Sequence, residues 1–264
     1  MNNASSKFNI SNLRNMIIIG LFAALCYVAL EVLRIPIPSP VGSPFIHMGN
    51  MFVILAALLF NGVSGGLAGS IGMGIWDIFH GYGATAYTTF ILKFGIGFFT
   101  GLVASKGNKK GAKSPRLYLG IAAAFFIIID IVFLIIATTI GNVFDVVIIN
   151  GSQKQLVISP FLYIFSLTLG VCLLLPCIFF KNMSIKMQYA ILGAVSGIAF
   201  NLVGEFAFKV ATLTLAGSKL APAILASAAN LPATIINGSF SIVVALVLYA
   251  PLQKALNKSG LKFA

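Results

Sequence analysis

His47, Asn50, Trp76, Asp77, His80, Tyr82, Tyr87 and Lys93 all fall between Pro44 and Lys93, PFIHMGNMFVILAALLFNGVSGGLAGSIGMGIWDIFHGYGATAYTTFILK, in a chain only 8% charged. Imidazoles, an amide, a carboxylate, an ammonium group and aromatic rings together can grip a small molecule by hydrogen bonds and stacking. Asp77 has His80 one helical turn on, and Lys93 follows one helix later. A ligand-binding role and a structural ion pair both fit Asp77 and Lys93. A second constellation is Asn201, Glu205 and Lys209, which recur every four residues and share one helix face. An acid followed by a base at this spacing can neutralise itself. Such a stripe should face a cavity or another helix, because a charge in lipid costs at least about 2.5–3.5 kcal/mol.

The other acids are Glu31, Asp130 and Asp145. Glu31 and Arg34 are one turn apart, so a local pair is expected. Asp130 sits in an apolar run with no charged neighbour on its own segment, and needs a polar contact from another helix or a proton. Asp145 falls in a predicted outer loop and is expected to be solvated.

Catalysis finds no footing. GVSG at 62–65 matches a GxSG pattern, but it lies at a turn with no suitably placed histidine downstream. No CxxC, HExxH or phosphate-cradling GxxxxGK[ST] occurs, and His47 and His80 lack a carboxylate-rich setting for a metal. The reading is a non-enzyme without cofactor or metal, in which any ATP is consumed by a partner. The three cysteines, Cys26, Cys172 and Cys177, lie in apolar runs and read as small packing residues.

The elements that must hold these groups are membrane helices. The chain has 264 residues, is 59% hydrophobic and has mean hydropathy +1.04, against about a quarter charged for a soluble domain. Apolar runs and breakers predict eight segments at about 14–34, 48–61, 63–80, 86–105, 117–140, 157–180, 187–215 and 222–252, within a single transmembrane domain spanning 1–264. The second and third are short, joined by the turn Asn61-Gly62. The first lacks a signal-peptide cleavage pattern and reads as a retained span.

Basic residues orient the bundle. With both termini cytoplasmic, Lys7, Arg14, Lys106, Lys109, Lys110, Lys113, Arg116, Lys181, Lys186, Lys254, Lys258 and Lys262 lie inside. Only Arg34, Lys154 and Lys219 lie outside. This is a strong positive-inside bias. It accounts for the +12 net charge without invoking nucleic acid, for which no motif is present. Small residues at four-residue spacing (Gly65/Gly69, Ala68/Gly72, Ser70/Gly74) predict close helix contacts in the third segment.

These residues resemble a family. PFIHMGNMFVILAALLFNGVSGGLAG, GMGIWDIFHGY and TTFILKFGIGFFTGLVAS look like helices 2 to 4 of the substrate-binding S components of energy-coupling factor (ECF) transporters. LPATIINGSFSIVVALVLYAPLQKAL is similar to the last helix, with Pro232, Thr234 and Asn237 in its polar positions and Thr234 where an Asn is expected. The resemblance covers about 1–105 and 187–256. It implies an all-α six-helix membrane bundle, so 107–186 reads as a two-helix insertion.

It also implies vitamin capture in an outer pocket roofed by the first and third loops. The partners implied are a membrane coupling (T) component and two cytosolic ATPases, and Gly20 and Ala24 on the first helix would dock the coupling protein. The pocket set expected is Phe45, His47, Asn50, Trp76, Asp77, His80, Tyr82, Tyr87, Lys93, Asn201, Glu205, Asn230 and Thr234. The aromatic and polar mix fits a pyridoxine-like ligand first, with hydroxymethylpyrimidine, riboflavin or a queuosine precursor as alternatives. Two other functions are open on sequence alone: a self-sufficient proton-coupled carrier using Asp130 or Glu205, and a non-transporting scaffold.

Overall fold

The computed structural model describes residues 13–36, 45–139, 143–147, 153–157, 163–164, 167, 171 and 183–259. Its helices, in chain order, are α1 (Leu13–Val32), α2 (Gly49–Leu59), α3 (Gly62–Phe79), α4 (Ala86–Ala104), α5 (Arg116–Thr139), α6 (Ile185–Leu215), α7 (Leu220–Ala228) and α8 (Leu231–Lys258). Two antiparallel hairpins join them: β1 (Ile35–Pro36) with β2 (Phe45–Ile46), and β3 (Val143–Val147) with β4 (Gln153–Val157).

Among the described residues, five stretches are long and apolar enough to cross a bilayer: Leu13–Val32, Gly83–Asn108, Arg116–Ile136, Ile185–Leu215 and Leu220–Lys258. The chain is therefore an all-α, multi-pass membrane protein. α2 has only 11 residues, or roughly 16 Å at about 1.5 Å per residue. It cannot cross a hydrocarbon core of about 30 Å on its own. At its end the chain reverses at Asn61, whose side chain accepts a 2.9 Å hydrogen bond from Ser64 N and caps α3.

α3 is the hub, packing on α1, α2 and α4, while α4 packs on α6 and α2 on α8. Its glycines admit these backbones. A Cβ on Gly65 would lie 2.7 Å from Ala57 of α2, and one on Gly62 2.7 Å from the Phe98 carbonyl of α4. Gly72 meets Ala23 of α1 in the same way, and Gly97 of α4 meets the backbone of Gly66. The small-residue spacing thus serves packing inside the chain. Gly20 differs: it is exposed, with nothing within 4 Å of where its Cβ would stand.

The last predicted segment, 222–252, is not one helix. It breaks at Ala229–Asn230 into α7 and α8. Pro232 lies in the first turn of α8, where its missing N–H costs no ladder bond, and it ends the run before it. The hairpin β3–β4 is also new, since the span pattern predicts only a connection there. Asp145 belongs to β3.

Within 107–186, α5 occupies the place of the fifth segment and packs on α6. Tyr163 is 1% exposed, and its hydroxyl donates to the Ala228 carbonyl at the end of α7. The expected span at 157–180, with Cys172 and Cys177, otherwise lies outside the described residues. Cys26 is free and buried against Gly49.

Candidate functional site: a polar cavity at one end of the bundle

Six stretches of the chain converge at the same end of the molecule. The contributing stretches are the end of α1, the β2–α2 junction, the end of α3, the start of α4, the second half of α6, and α7 with the start of α8. Between them lies a cavity of about 500 Å³, within the roughly 300–1,000 Å³ range of small-molecule sites. Leu30, Met73, Leu92, Leu213 and Ala233 supply apolar wall, and Phe45, Tyr82 and Phe208 supply rings.

Its polar groups are held by named partners. Lys93 Nζ on α4 donates to Asn201 Oδ1 on α6 at 3.2 Å. Glu205 takes Lys209 Nζ at 2.8 Å on one oxygen and Thr234 Oγ1 at 3.0 Å on the other, so α6 and α8 meet at this carboxylate. Asp77 accepts from Thr89 Oγ1. Asp77 and Lys93 do not form the ion pair open to them on sequence: among the described residues Lys93 makes no salt bridge.

The β2–α2 junction is the most tightly specified part. His47 N donates to Asn237 Oδ1 at 3.2 Å, and His47 Nδ1 accepts from Gly49 N at 3.1 Å. Burial, reinforced by the charge of Lys93 and partly opposed by Glu205, pushes the His47 pKa down to about 3. The ring is neutral near pH 7, with Nδ1 as acceptor. Asn50, 2% exposed, leaves its Oδ1 without a partner among the described residues while lining the cavity. A buried acceptor with nothing to accept costs about 1–3 kcal/mol unless something else supplies the donor.

Of the residues expected at the site, Phe45, His47, Asn50, Asp77, Tyr82, Lys93, Asn201, Glu205 and Thr234 line this cavity. Trp76, His80, Tyr87 and Asn230 do not. Tyr87 is exposed and meets Phe208 edge-on. Asn230 is buried at the α7–α8 break, where its backbone carbonyl accepts from Thr234 N.

Trp76 and His80 belong to a brace beside the cavity. The Trp76 indole is fully buried and donates to Glu31 Oε2 at 2.9 Å. His80 stacks on it at 4.1 Å and 9°, and its Nε2 lies 3.0 Å from the same carboxylate oxygen. The expected Glu31–Arg34 pair is absent: Glu31 turns to the Trp76 and His80 rings, and the Arg34 guanidinium lies 5.1 Å from the Trp76 ring centre. A cation over an indole face is favourable, and the same arginine reaches Phe45 at 6.0 Å. The brace thereby meets the cavity wall through Phe45 and Tyr82, both packed on Trp76.

Sequence reasoning passes over Thr85, Thr88 and Thr89, which bring hydroxyls from the turn Gly83–Thr85 and the start of α4. Thr89 stands four residues before Lys93, a signal in plain view. It also passes over Phe208 and Thr212, which with Lys209 continue the Asn201–Glu205 face of α6, and it names Lys209 and Asn237 without placing them in the pocket. Asp130 is fully buried in α5 and is not part of the cavity wall.

A family model described as "ECF-type riboflavin transporter, S component" matches residues 10–164. The matched range takes in α1 to α4 and continues through α5 and both strands of the β3–β4 hairpin. No curated protein and no solved structure matches the chain. With more than half of its length matched and an all-α membrane bundle around a polar cavity, this chain belongs to the S-component family of ECF-type transporters.

Proposed function

We propose that the chain captures a water-soluble heteroaromatic vitamin in the cavity between α1, α3, α4, α6 and α8, and delivers it to an ATP-driven importer. The observation that carries this is the unspent hydrogen-bonding capacity on the wall. Lys93 has donors left beyond Asn201, and Asn50 Oδ1 has no donor among the described residues. Phe45, Tyr82 and Phe208 offer faces and edges to a planar ring.

A riboflavin-sized molecule is favoured over the pyridoxine-sized ligand that the residue mix first suggests. A volume of about 500 Å³ accommodates a tricyclic ring with a polyol tail, whereas pyridoxine, hydroxymethylpyrimidine or a queuosine precursor would leave much of it to water. The hydroxyls of Thr85, Thr88, Thr89 and Ser227 suit a polyol, and the family's own description names riboflavin. α6 and α8, which contribute Asn201, Glu205 and Thr234, lie beyond the matched residues.

The coupling partners are a membrane T component and two ATPases, which consume the ATP. The exposed face of α1 around Gly20 and Ala24 is the docking surface, since Gly20 packs against nothing in the chain. The basic bias puts both termini in the cytoplasm and opens the cavity to the outside of the cell membrane. Mass spectrometry of small molecules extracted from the purified protein tests the capture reading. A stoichiometric heteroaromatic vitamin is expected. A protein that retains none, and binds none of the four candidates when they are supplied, would contradict it.

A further inference from the structure

At the opposite end of the bundle lies a second cavity, of about 340 Å³, where the α2–α3 turn, the end of α4, the start of α6 and the last turns of α8 converge. We propose that it is a binding site for a phosphate group, separate from the vitamin cavity and independent of which vitamin that cavity holds.

Its lining differs in kind from that of the first. Asn61, Asn108, Lys186, Tyr249, Gln253 and Asn257 face it. Tyr249 is 2% exposed; its hydroxyl oxygen accepts from Gln253 Nε2 at 2.7 Å, and its own O–H has no acceptor among the described residues. Asn61 spends its Oδ1 on Ser64 N, which leaves its amide N–H groups for the cavity. Lys186, in the first turn of α6, is exposed at the rim and makes no salt bridge among the described residues. The floor and rim therefore offer ammonium, phenol and amide donors, beside the amide oxygens of Asn108, Gln253 and Asn257.

The surroundings carry one sign of charge. Lys106 and Lys109 flank Asn108, and Lys254 and Lys258 flank the α8 residues of the lining. The basic loop is held in place here: Ser114 Oγ donates to Gln188 Oε1 at 2.6 Å, Gln188 Nε2 donates to the Met183 carbonyl at 3.0 Å, and Gly107 packs on Tyr189. Among the described residues no acid lines this cavity: Glu31, Asp77 and Glu205 lie at the other end and Asp130 is inside α5. An unneutralised basic cluster around a polar hollow at a membrane face draws anions, and basic pockets between transmembrane helices take phospholipid headgroups. A phosphodiester on an anionic lipid and a free phosphate share the chemistry the site recognises.

The test uses the full chain in nanodiscs. Protein is exchanged into phosphatidylcholine containing a small fraction of phosphatidylglycerol, released into detergent and weighed by native mass spectrometry, with and without millimolar inorganic phosphate. One retained phosphatidylglycerol, unaffected by phosphate and reduced at least fivefold in Lys186→Gln and in Tyr249→Phe, supports the site with lipid as the source. Displacement of the lipid by phosphate, or a bound phosphate in the absence of lipid with the same loss in the variants, supports the site with free phosphate as the source. Lys219→Gln, at the other end, serves as the charge control and is expected to retain the ligand. If Lys186→Gln melts like wild type and retains phosphatidylglycerol equally well, or if wild type retains neither ligand, the proposal is wrong.

Discussion

Lys93 Nζ on α4 and Asn201 Oδ1 on α6 stand 3.2 Å apart, a hydrogen bond between residues 108 positions distant in sequence. It joins two helices through the wall of the cavity and leaves an ammonium group with further donors and no carboxylate partner. A cation held in this way awaits an acceptor. Lys93→Met is expected to weaken vitamin binding about 10- to 100-fold, the loss of one charge-assisted bond at about 1.5–3 kcal/mol. Fluorescence titration of the purified variant checks this. An unchanged affinity would mean that the ammonium faces away from the ligand.

Asn50 gives the opposite balance between binding and stability. Its Oδ1 is buried without a partner among the described residues, so Asn50→Leu removes a desolvated acceptor at similar volume. The apo protein is expected to melt at the same temperature or higher, while ligand-dependent stabilisation falls by at least about 1 kcal/mol. Thermal melts with and without vitamin separate the two effects. Equal ligand-induced shifts in variant and wild type would remove Asn50 from the site.

His47 sets the acid limit of the fold. With its pKa at about 3, mainly through burial, and an ordinary value of about 6.5 in the unfolded chain, the unfolded state binds the extra proton between those two values. The His47 contribution is therefore complete above about pH 6.5. It is lost on acidification towards pH 3, with a slope approaching 1.4 kcal/mol per pH unit. His47→Asn, whose amide oxygen can take over acceptance from Gly49 N, should flatten the dependence between pH 6.5 and 5. A wild-type melting temperature that is level over that range would show His47 to be solvated.

Much of this fold is readable from sequence because a bilayer permits so few backbone solutions. Helices at α1, α4, α5 and α6 follow from uninterrupted apolar runs, and the α2–α3 reversal from Asn61-Gly62. The α7–α8 break is also written there, in Asn230 and Pro232, but hydropathy averages across it because both flanks are apolar. The site is legible where polar residues are costly, as at Lys93, Asn201 and Glu205. It is less so where types are ambiguous. Trp76 and His80 look like ligand contacts by type, and only packing reveals that Glu31 draws both into a brace. Thr89 is unremarkable in any helix until Asp77 is seen beside it.

Substitutions at two glycines test helix packing and the proposed docking face separately. Gly97→Val would drive a side chain into the backbone of Gly66, and overpacking costs about 1–3 kcal/mol or more; reduced yield and a lower melting temperature are expected. Gly20 has open space around it. Gly20→Trp should leave folding and vitamin binding intact and reduce ATP-driven uptake severalfold when the chain is co-expressed with a coupling protein and ATPases. Uptake in vesicles that carry a pH gradient and this chain alone would instead favour a proton-coupled carrier using Glu205 or Asp130. Normal ATP-driven uptake by Gly20→Trp would move the docking surface elsewhere.

The central claim is that the cavity lined by Asn50, Lys93 and Asn201 captures one heteroaromatic vitamin. Titration of riboflavin against the purified protein, followed by quenching of flavin fluorescence, tests it most directly. Saturation at one equivalent with submicromolar affinity, lost in Lys93→Met and in Asn50→Leu, is the predicted result. Failure of riboflavin, pyridoxine, hydroxymethylpyrimidine and a queuosine precursor to bind or to compete, or saturation that is indifferent to both substitutions, would contradict it.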